Sequence, residues 1–347
     1  MSTFKYIKIK NFYICADQTL EQALETISHI WNALQNEPTS WVNSQTEEIV
    51  YLEKWGNYCK MSNFSNNYKI FDIDKRVVTK FMPTNLFKFQ QELDKLKISS
   101  DIKHAPKIFN SCESEGWYEE EYIFGRELWP KNWSEVPVIY KKYIFNIIEQ
   151  IIKSGCIKKV DPIKYSLLNY EILCDMSSYS SDINKDLVEL ITTFSHSTLN
   201  KIKKYGVNKN ILMSSTHGDF KFSHIIIADS GEPRVIDWET YSERSLLFDF
   251  LNPFGPWLIH NIASIEANTI EDFKKLLCAF DASLSASNLI DEHKGYIEKN
   301  ITLYCLVYYL ERLKRILEVN HIIDNTVINN MIRAIEGFKN IDKLLNK

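Results

Sequence analysis

The stretch Thr216-His217-Gly218-Asp219-Phe220-Lys221-Phe222-Ser223-His224-Ile225-Ile226-Ile227, answered by Val235-Ile236-Asp237-Trp238-Glu239, decides the reading of the chain. It runs as a polar loop into a short apolar strand, turns at Asp229-Ser230-Gly231, and returns as a second strand that ends in a carboxylate. That is the pattern of a β-hairpin with charge at both mouths. Carboxylates beside apolar strands are costly to bury unless they are paired or hold a metal. Two Asp and two His in this setting therefore point to a site rather than to core packing.

Position by position, His217 to His224 overlays the protein-kinase catalytic loop H-R-D-L-K-x-x-N, with Asp219 at the catalytic aspartate, Lys221 at the lysine and His224 where asparagine is expected. The H-G-D opening and I-D-W-E close are still more similar to the aminoglycoside phosphotransferase and choline kinase family, whose loop reads H-G-D-x-x-x-x-N before a strand ending I-D-W/F-E. Either motif alone is short enough to match by accident. The weight lies on their order, on the hairpin between them and on matching features upstream.

This resemblance implies an α+β, bilobal protein-kinase-like fold with a small antiparallel-sheet N-lobe and a mainly helical C-lobe. It implies transfer of the γ-phosphate of ATP or GTP to a hydroxyl of a small molecule such as a sugar, an amino alcohol or an aminoglycoside-like acceptor. Asp219 would orient that hydroxyl and take its proton, and Lys221 would meet the charge developing on the γ-phosphate. Asp237 would hold Mg²⁺ or Mn²⁺, His224 would add a second metal or phosphate contact, and His217 would brace the loop through backbone hydrogen bonds.

Composition bounds the alternatives. With 347 residues, 45% hydrophobic and 13% aromatic, the chain can build a large core and two lobes. Forty-one Lys and Arg against 45 Asp and Glu give a formal charge of −4, and no dense basic run is interleaved with aromatics, so nucleic acid is not the expected partner. Seven scattered cysteines without a C-x-x-C pair read as reduced thiols in a cytoplasmic protein rather than as a disulfide framework or zinc site. The start, Met1 to Tyr6, lacks the apolar region of a signal peptide, and the longest apolar run, Leu303 to Leu310, is too short to span a bilayer.

Taken in order, residues 4–15 read as a strand, and Thr19 with Gln22 as a capping box for a helix through Leu34. Residues 1–47 are expected to be an addition packed on a small nucleotide-binding lobe at 48–124. Strands are expected at 49–58, 68–72, 76–81, 106–112 and 116–124, a five-stranded sheet. The loop 60–67 resembles the family's phosphate-covering G-G-x-S-N-x-x-Y without its glycines, which makes Ser62 and Asn63 its phosphate contacts. Lys80 closes a strand like the V-A-I-K lysine, and Glu92, beside the apolar stripe Leu86, Phe89, Leu93 and Leu96, is its candidate partner. Glu120 to Leu128 resembles the family's hinge, where the backbone of Glu121, Tyr122 and Ile123 would read the adenine edge, with Gly125 easing the crossing.

A helical lobe at 125–347 is expected to carry the catalytic loop and the acceptor site. Ser134 is placed as cap of a helix reaching Lys153 and the next helix is placed near 186–204. Leu247-Phe248-Asp249-Phe250 resembles the family's D-L-A segment, which implies that Asp249 supports the loop rather than performing chemistry. A helix is placed from Ile270, then two more at about 289–318 and 323–345, the aromatic stripe from Tyr304 to Leu313 reading as helix-helix core. Two rivals remain. The missing glycines and His224 favour a silent pseudokinase or interaction module, whereas Asp219, Lys221, Asp237 and Lys80 together are costly charges to retain without chemistry. Protein-kinase activity is disfavoured, because no A-P-E segment follows Asp237 at the usual distance.

Overall fold

Runs of β-branched and aromatic residues in the N-terminal part of the chain pair into one antiparallel sheet. In the computed structural model, residues 6–9, 12–15, 68–72, 76–81, 86–114, 116–175, 185–254, 267–290, 295–319 and 325–345 are described. They fall into two compact units, one drawn from Met1–Asp101, Ala105–Arg126 and Ile226–Glu239, the other from Ile102–His104, Glu127–Ile225 and Thr240–Lys347.

The first unit holds β1 (Tyr6–Ile9), β2 (Phe12–Cys15), β3 (Tyr68–Asp72), β4 (Val77–Phe81), helix α1 (Leu86–Ser99), β5 (Ile108–Cys112), β6 (Trp117–Glu121) and β7 (Gly125–Glu127). Six of these strands form a sheet in the order β2-β1-β3-β4-β6-β5. The strand expected over 4–15 is thus two strands paired as a hairpin, from Tyr6↔Cys15 to Ile9↔Phe12, and β1 pairs in turn with β3. Asn11, a turn-favouring residue between the two apolar runs, is the sequence sign of that break. The expected strand at 49–58, the helix from Thr19 and the loop 60–67 with Ser62 and Asn63 lie outside the described residues. In α1, Phe89, Leu93 and Leu96 form the buried face while Leu86 is exposed.

The second unit is mainly helical. Its first helix is α2 (Glu135–Ile139), a π-helical turn at Tyr140–Ile144 and α3 (Phe145–Lys153), followed by β8 (Lys158–Val160), α4 (Pro162–Cys174), α5 (Lys185–Tyr205) and β9 (Ile211–Thr216). The hairpin β10 (Ile225–Ala228) and β11 (Pro233–Val235) comes next, most of it returning to the first unit. Then follow β12 (Ser242–Ser245), α6 (Phe248–Leu251), α7 (Ala267–Ala286), α8 (Tyr296–Lys299), α9 (Ile301–Val319) and α10 (Asn325–Leu345). Two three-stranded sheets, β11-β10-β7 and β12-β9-β8, complete the strand pairing.

Several expectations are corrected here. Ser134 does not cap α2: its backbone is already helical and its hydroxyl turns to Asn132 Oδ1 at 2.6 Å. Helix α4 was not expected, although Asp161-Pro162 is a strong start signal: Asp161 Oδ1 accepts the Ile163 amide at 2.8 Å and Pro162 takes the first turn. Helix α7 begins at Ala267, and the region expected as one helix over 289–318 contains the short α8 ahead of α9.

An aromatic cluster fills the second unit. Tyr140 lies 4.8 Å from Phe254 and 5.3 Å from Phe250, and Phe250 stacks on Phe280 at 4.9 Å. The Tyr140 hydroxyl donates to the Phe250 carbonyl at 2.9 Å, so α6 is seated both by ring packing and by a buried hydrogen bond. From α9, Tyr304, Tyr308, Tyr309, Leu310 and Leu313 are all buried, as helix-helix core. Among the described residues no helix is long and apolar enough to cross a membrane. Cys112, Cys156, Cys174, Cys278 and Cys305 are free thiols.

Gly125 is needed for room rather than for an unusual backbone, since a Cβ there would lie 2.2 Å from the Ile227 carbonyl oxygen. Gly231, at the tip of the hairpin turn, has φ +84 and nothing within 4 Å. Gly125→Ala is therefore expected to lower stability by about 3 kcal/mol through overpacking against backbone. Gly231→Ala costs about 1 kcal/mol from left-handed strain alone. Urea unfolding of both variants checks the order, and an equal or reversed cost contradicts the packing account.

Candidate active site

Within the first unit, Lys80 stands in β4 opposite Tyr118 of β6. Lys80 is 6% exposed, and its ammonium pairs directly with Glu92 Oε1 from α1. Tyr118 adds a second hydrogen bond to the same carboxylate oxygen at 2.9 Å, and Glu239 Oε2 stands 3.5 Å from the ammonium. Burial alone would lower the Lys80 pKa, but Glu92 first and Glu239 next carry it well above its ordinary value. Lys95 Nζ holds the Glu239 carbonyl at 2.9 Å, fixing the chain just past Asp237. Asp237 itself is half-buried with φ 66, a left-handed backbone that a non-glycine residue adopts at a cost.

Of the residues expected at the hinge, Glu121 and Tyr122 have backbone groups already engaged. The Glu121 amide donates to the Lys107 carbonyl and the Tyr122 amide to the Arg76 carbonyl, at 2.9 and 2.7 Å. The Glu121 side chain forms a bidentate pair with Arg234 of β11, at 3.0 Å to Oε1 and 2.5 Å to Oε2, which ties the hairpin to β6. Among the described residues, Ile123 enters no backbone hydrogen bond outside the regular elements.

Within the second unit the loop after β9 is held from beneath. The His217 amide donates to Asp249 Oδ2 at 2.5 Å and the Gly218 amide to Asp249 Oδ1 at 3.0 Å. His217 is fully buried; its Nδ1 accepts the Asp219 amide at 3.2 Å and its carbonyl accepts the Thr240 hydroxyl at 2.9 Å. Gly218 has φ +84, and a Cβ there would fall 2.3 Å from Arg244 Nη1, so glycine is required on both counts. Arg244 Nη1 in turn donates to Thr216 Oγ1 and the Thr240 carbonyl, both at 3.0 Å. Asn252 Nδ2 donates to the Phe220 carbonyl at 2.8 Å, and Phe220 and Phe222 anchor the loop in the core.

This scaffold presents Asp219 to a ring of cations. Lys221 Nζ lies 2.7 Å and Arg315 Nη2 3.1 Å from Oδ2, His224 Nδ1 is 3.8 Å from the same oxygen, and Arg312 Nη1 is 3.5 Å from Oδ1. Burial by itself would raise the Asp219 pKa. Arg315, Lys221, His224 and Arg312 overcome it and hold the carboxyl well below the usual range. Asp219 is therefore a carboxylate at neutral pH, and Oδ1 makes no hydrogen bond among the described residues.

Asp219, Lys221 and His224 come together in the second unit, and Lys80 and Glu92 in the first. Sequence reasoning missed Arg312, Arg315, Glu239, Arg234 and Arg244. Arg312 and Arg315 follow Glu311 inside the apolar stripe of α9, where buried charge is expensive unless paired; that was the available signal. Glu311 is paired as well, accepting the Tyr165 hydroxyl and the Ser245 amide, each at 2.7 Å, and the Ser245 hydroxyl.

For a divalent ion, the Asp237 carboxylate offers the hard oxygen donor that Mg²⁺ prefers. Among the described residues no group of three or more His, Cys, Asp or Glu is gathered to hold a metal. The Asp237 carboxylate therefore fits as one oxygen ligand of such an ion. His224 is an imidazole and so a softer donor than the oxygens that a hard divalent ion prefers.

The chain matches no family model and no curated protein in sequence. In structure it is similar to the choline kinase from Streptococcus pneumoniae, with a TM-score of 0.51 at 15% identity, covering 91% of this chain and 99% of that one. It is also similar to the choline kinase from Cryptosporidium parvum Iowa II (0.52, 14% identity, 81% and 87% covered) and the ethanolamine kinase from Plasmodium vivax (0.52, 13% identity, 93% and 95% covered). At these identities the likeness establishes the fold: α+β and protein-kinase-like.

Burial pushes Asp249 up to about 6, against the opposing Gly218 and His217 amides and Arg244. The folded state thus binds this proton more tightly than the unfolded chain, whose Asp titrates near 3.8. The stabilisation is complete below about pH 4 and lost as the pH rises through about 6. Relative to Asp249→Asn, the wild-type chain is expected to lose about 3 kcal/mol between these pH values. Urea unfolding of both across that range checks it, and a pH-independent difference contradicts it.

Proposed function

We propose that the chain is a phosphotransferase that moves the γ-phosphoryl group of ATP or GTP to a hydroxyl of a small molecule. The observation that supports this best is the Asp219 carboxylate, kept ionised in a loop whose backbone is gripped by Asp249, with the Lys221 ammonium 2.7 Å away. The solved structures that share the fold include choline and ethanolamine kinases, and both names denote phosphorylation of a small alcohol.

In the reaction the acceptor oxygen attacks the γ-phosphorus and passes its proton to Asp219. A new P–O bond forms, the bond to the β-phosphate oxygen breaks, and the nucleoside diphosphate leaves. A bound divalent ion supplies neutralisation of phosphate charge, and Asp237 is the residue that would hold it. Lys221 meets charge on the transferring group, and His224 takes a phosphate oxygen or, alternatively, the second metal position. Lys80, oriented by Glu92, takes the α- and β-phosphates, while Ile123 with its neighbours Glu121 and Tyr122 reads the base. Ser62 and Asn63 are assigned to the phosphate-covering loop. Residues 1–47 are read as an addition to the nucleotide-binding lobe, a reading supported by the pairing of β1 with β3.

Two variants test the roles. Asp219→Asn is expected to lower turnover by about 10²- to 10⁴-fold while leaving nucleotide affinity nearly intact. Asp237→Asn is expected to weaken metal-dependent nucleotide binding as well, read as a smaller thermal stabilisation by nucleotide with Mg²⁺ or Mn²⁺. Equal behaviour of the two variants in binding and rate defeats the assignment. Full nucleotide stabilisation with no turnover on any acceptor favours a silent, nucleotide-binding module.

A further inference from the structure

Lys80 faces Tyr118 in the antiparallel register of β4 and β6, so the two side chains leave the same face of the sheet. Tyr118 is 1% exposed, and its ring packs on Phe89 of α1 with centroids 6.1 Å apart. Phe89 stands three residues before Glu92, on the same side of that helix. The phenol is thus seated in the core of the first unit, and its hydroxyl donates at 2.9 Å to Glu92 Oε1. That is the oxygen with which the Lys80 ammonium pairs, and the ammonium lies 6.0 Å from the centre of the Tyr118 ring. Burial first, and the Glu92 charge next, push the phenol well above its ordinary pKa. The hydroxyl therefore keeps its proton at neutral pH and remains a donor.

A carboxylate whose only tie is to a lysine can turn about its terminal torsion and follow the ammonium, because that torsion is broad. A second donor fixed in the core holds the accepting oxygen at one point. The ammonium carries three N–H groups, so fixing the partner of one sets the direction of the others. We infer that Tyr118 is a positioning residue for nucleotide binding, holding Glu92 Oε1 so that Lys80 presents its free donor directions to phosphate. This rests on the phosphotransferase reading and adds to its nucleotide site a buried residue that acts through Glu92 and Lys80. Its contribution falls on the phosphates of the nucleotide and not on the base.

The test is Tyr118→Phe in the full chain, which removes one oxygen atom and keeps the ring that packs on Phe89. Calorimetric titration with Mg²⁺ and ATP or ADP is expected to show a Kd about fivefold higher than for the wild type. Adenosine, which carries no phosphate, is followed by ligand-observed NMR, and its Kd is expected to stay within about twofold. Equal weakening of ATP and adenosine overturns the inference, because Tyr118 then only supports the fold. An ATP Kd unchanged by Tyr118→Phe overturns it as well.

A double-mutant cycle supplies a second readout that does not depend on adenosine. In a Lys80→Met background, Tyr118→Phe is expected to change the ATP Kd by less than about twofold, since the residue it acts through is gone. A fivefold effect that persists there overturns the inference. Failure of the wild type to bind either nucleotide removes the phosphotransferase reading and the inference with it. Wild-type binding with equal losses for ATP and adenosine removes the inference alone, so the two failures are distinguishable.

Discussion

Two adjacent backbone amides, those of His217 and Gly218, converge on one buried carboxylate, and the functional loop depends on that grip. Asp249 satisfies groups that would otherwise be orphaned in the core, at 2.5 and 3.0 Å. It can do so because α6 is clamped by Phe248, Phe250 and Leu251, none of which has measurable exposure. With the amides fixed, His217 turns its Nδ1 to the Asp219 amide, Gly218 takes a backbone that only glycine adopts cheaply, and Asp219 is delivered to the cations of α9. Ring packing, one carboxylate and one glycine thus determine where the chemically important side chain stands.

In the first unit, Lys80 follows the same logic with opposite charge. Lys80 is buried, so its ammonium persists only because Glu92 and Glu239 face it, and Tyr118 orders Glu92 through its hydroxyl. Such a pair adds little net stability, since desolvation offsets most of the Coulomb attraction, but removing one partner strands a buried charge. What the arrangement secures is position: a cation held at one point on a rigid strand. Such positioning is what the proposed phosphoryl transfer would require of the protein.

Much of this was legible in the sequence, for a physical reason. Hairpin, loop and strand end are local patterns, so His217, Asp219, Lys221 and Asp237 announce themselves by spacing, and Lys80 and Glu92 by their place on a strand and the following helix. Asp249 could be named because the tripeptide around it is local too. Arg312 and Arg315 could not be named, because their meaning lies in what stands 93 and 96 residues earlier, and helical periodicity reports only that α9 has an apolar face. Helix α4 was missed for a different reason: the polar composition around Asp161-Pro162 masked a capping signal that the structure uses directly. The hairpin β1-β2 was read as one strand because alternation does not reveal a reversal of direction.

The central claim is that Asp219 removes a proton from an acceptor hydroxyl as that oxygen takes up phosphorus. Its most direct test is the fate of a labelled γ-phosphoryl group when the full chain, Mg²⁺ and ATP meet a pool of small hydroxyl compounds. The account predicts a labelled phosphate ester formed in step with ADP by the wild type and absent with Asp219→Asn. Label recovered only as inorganic phosphate, or ester formed equally by both proteins, would contradict it.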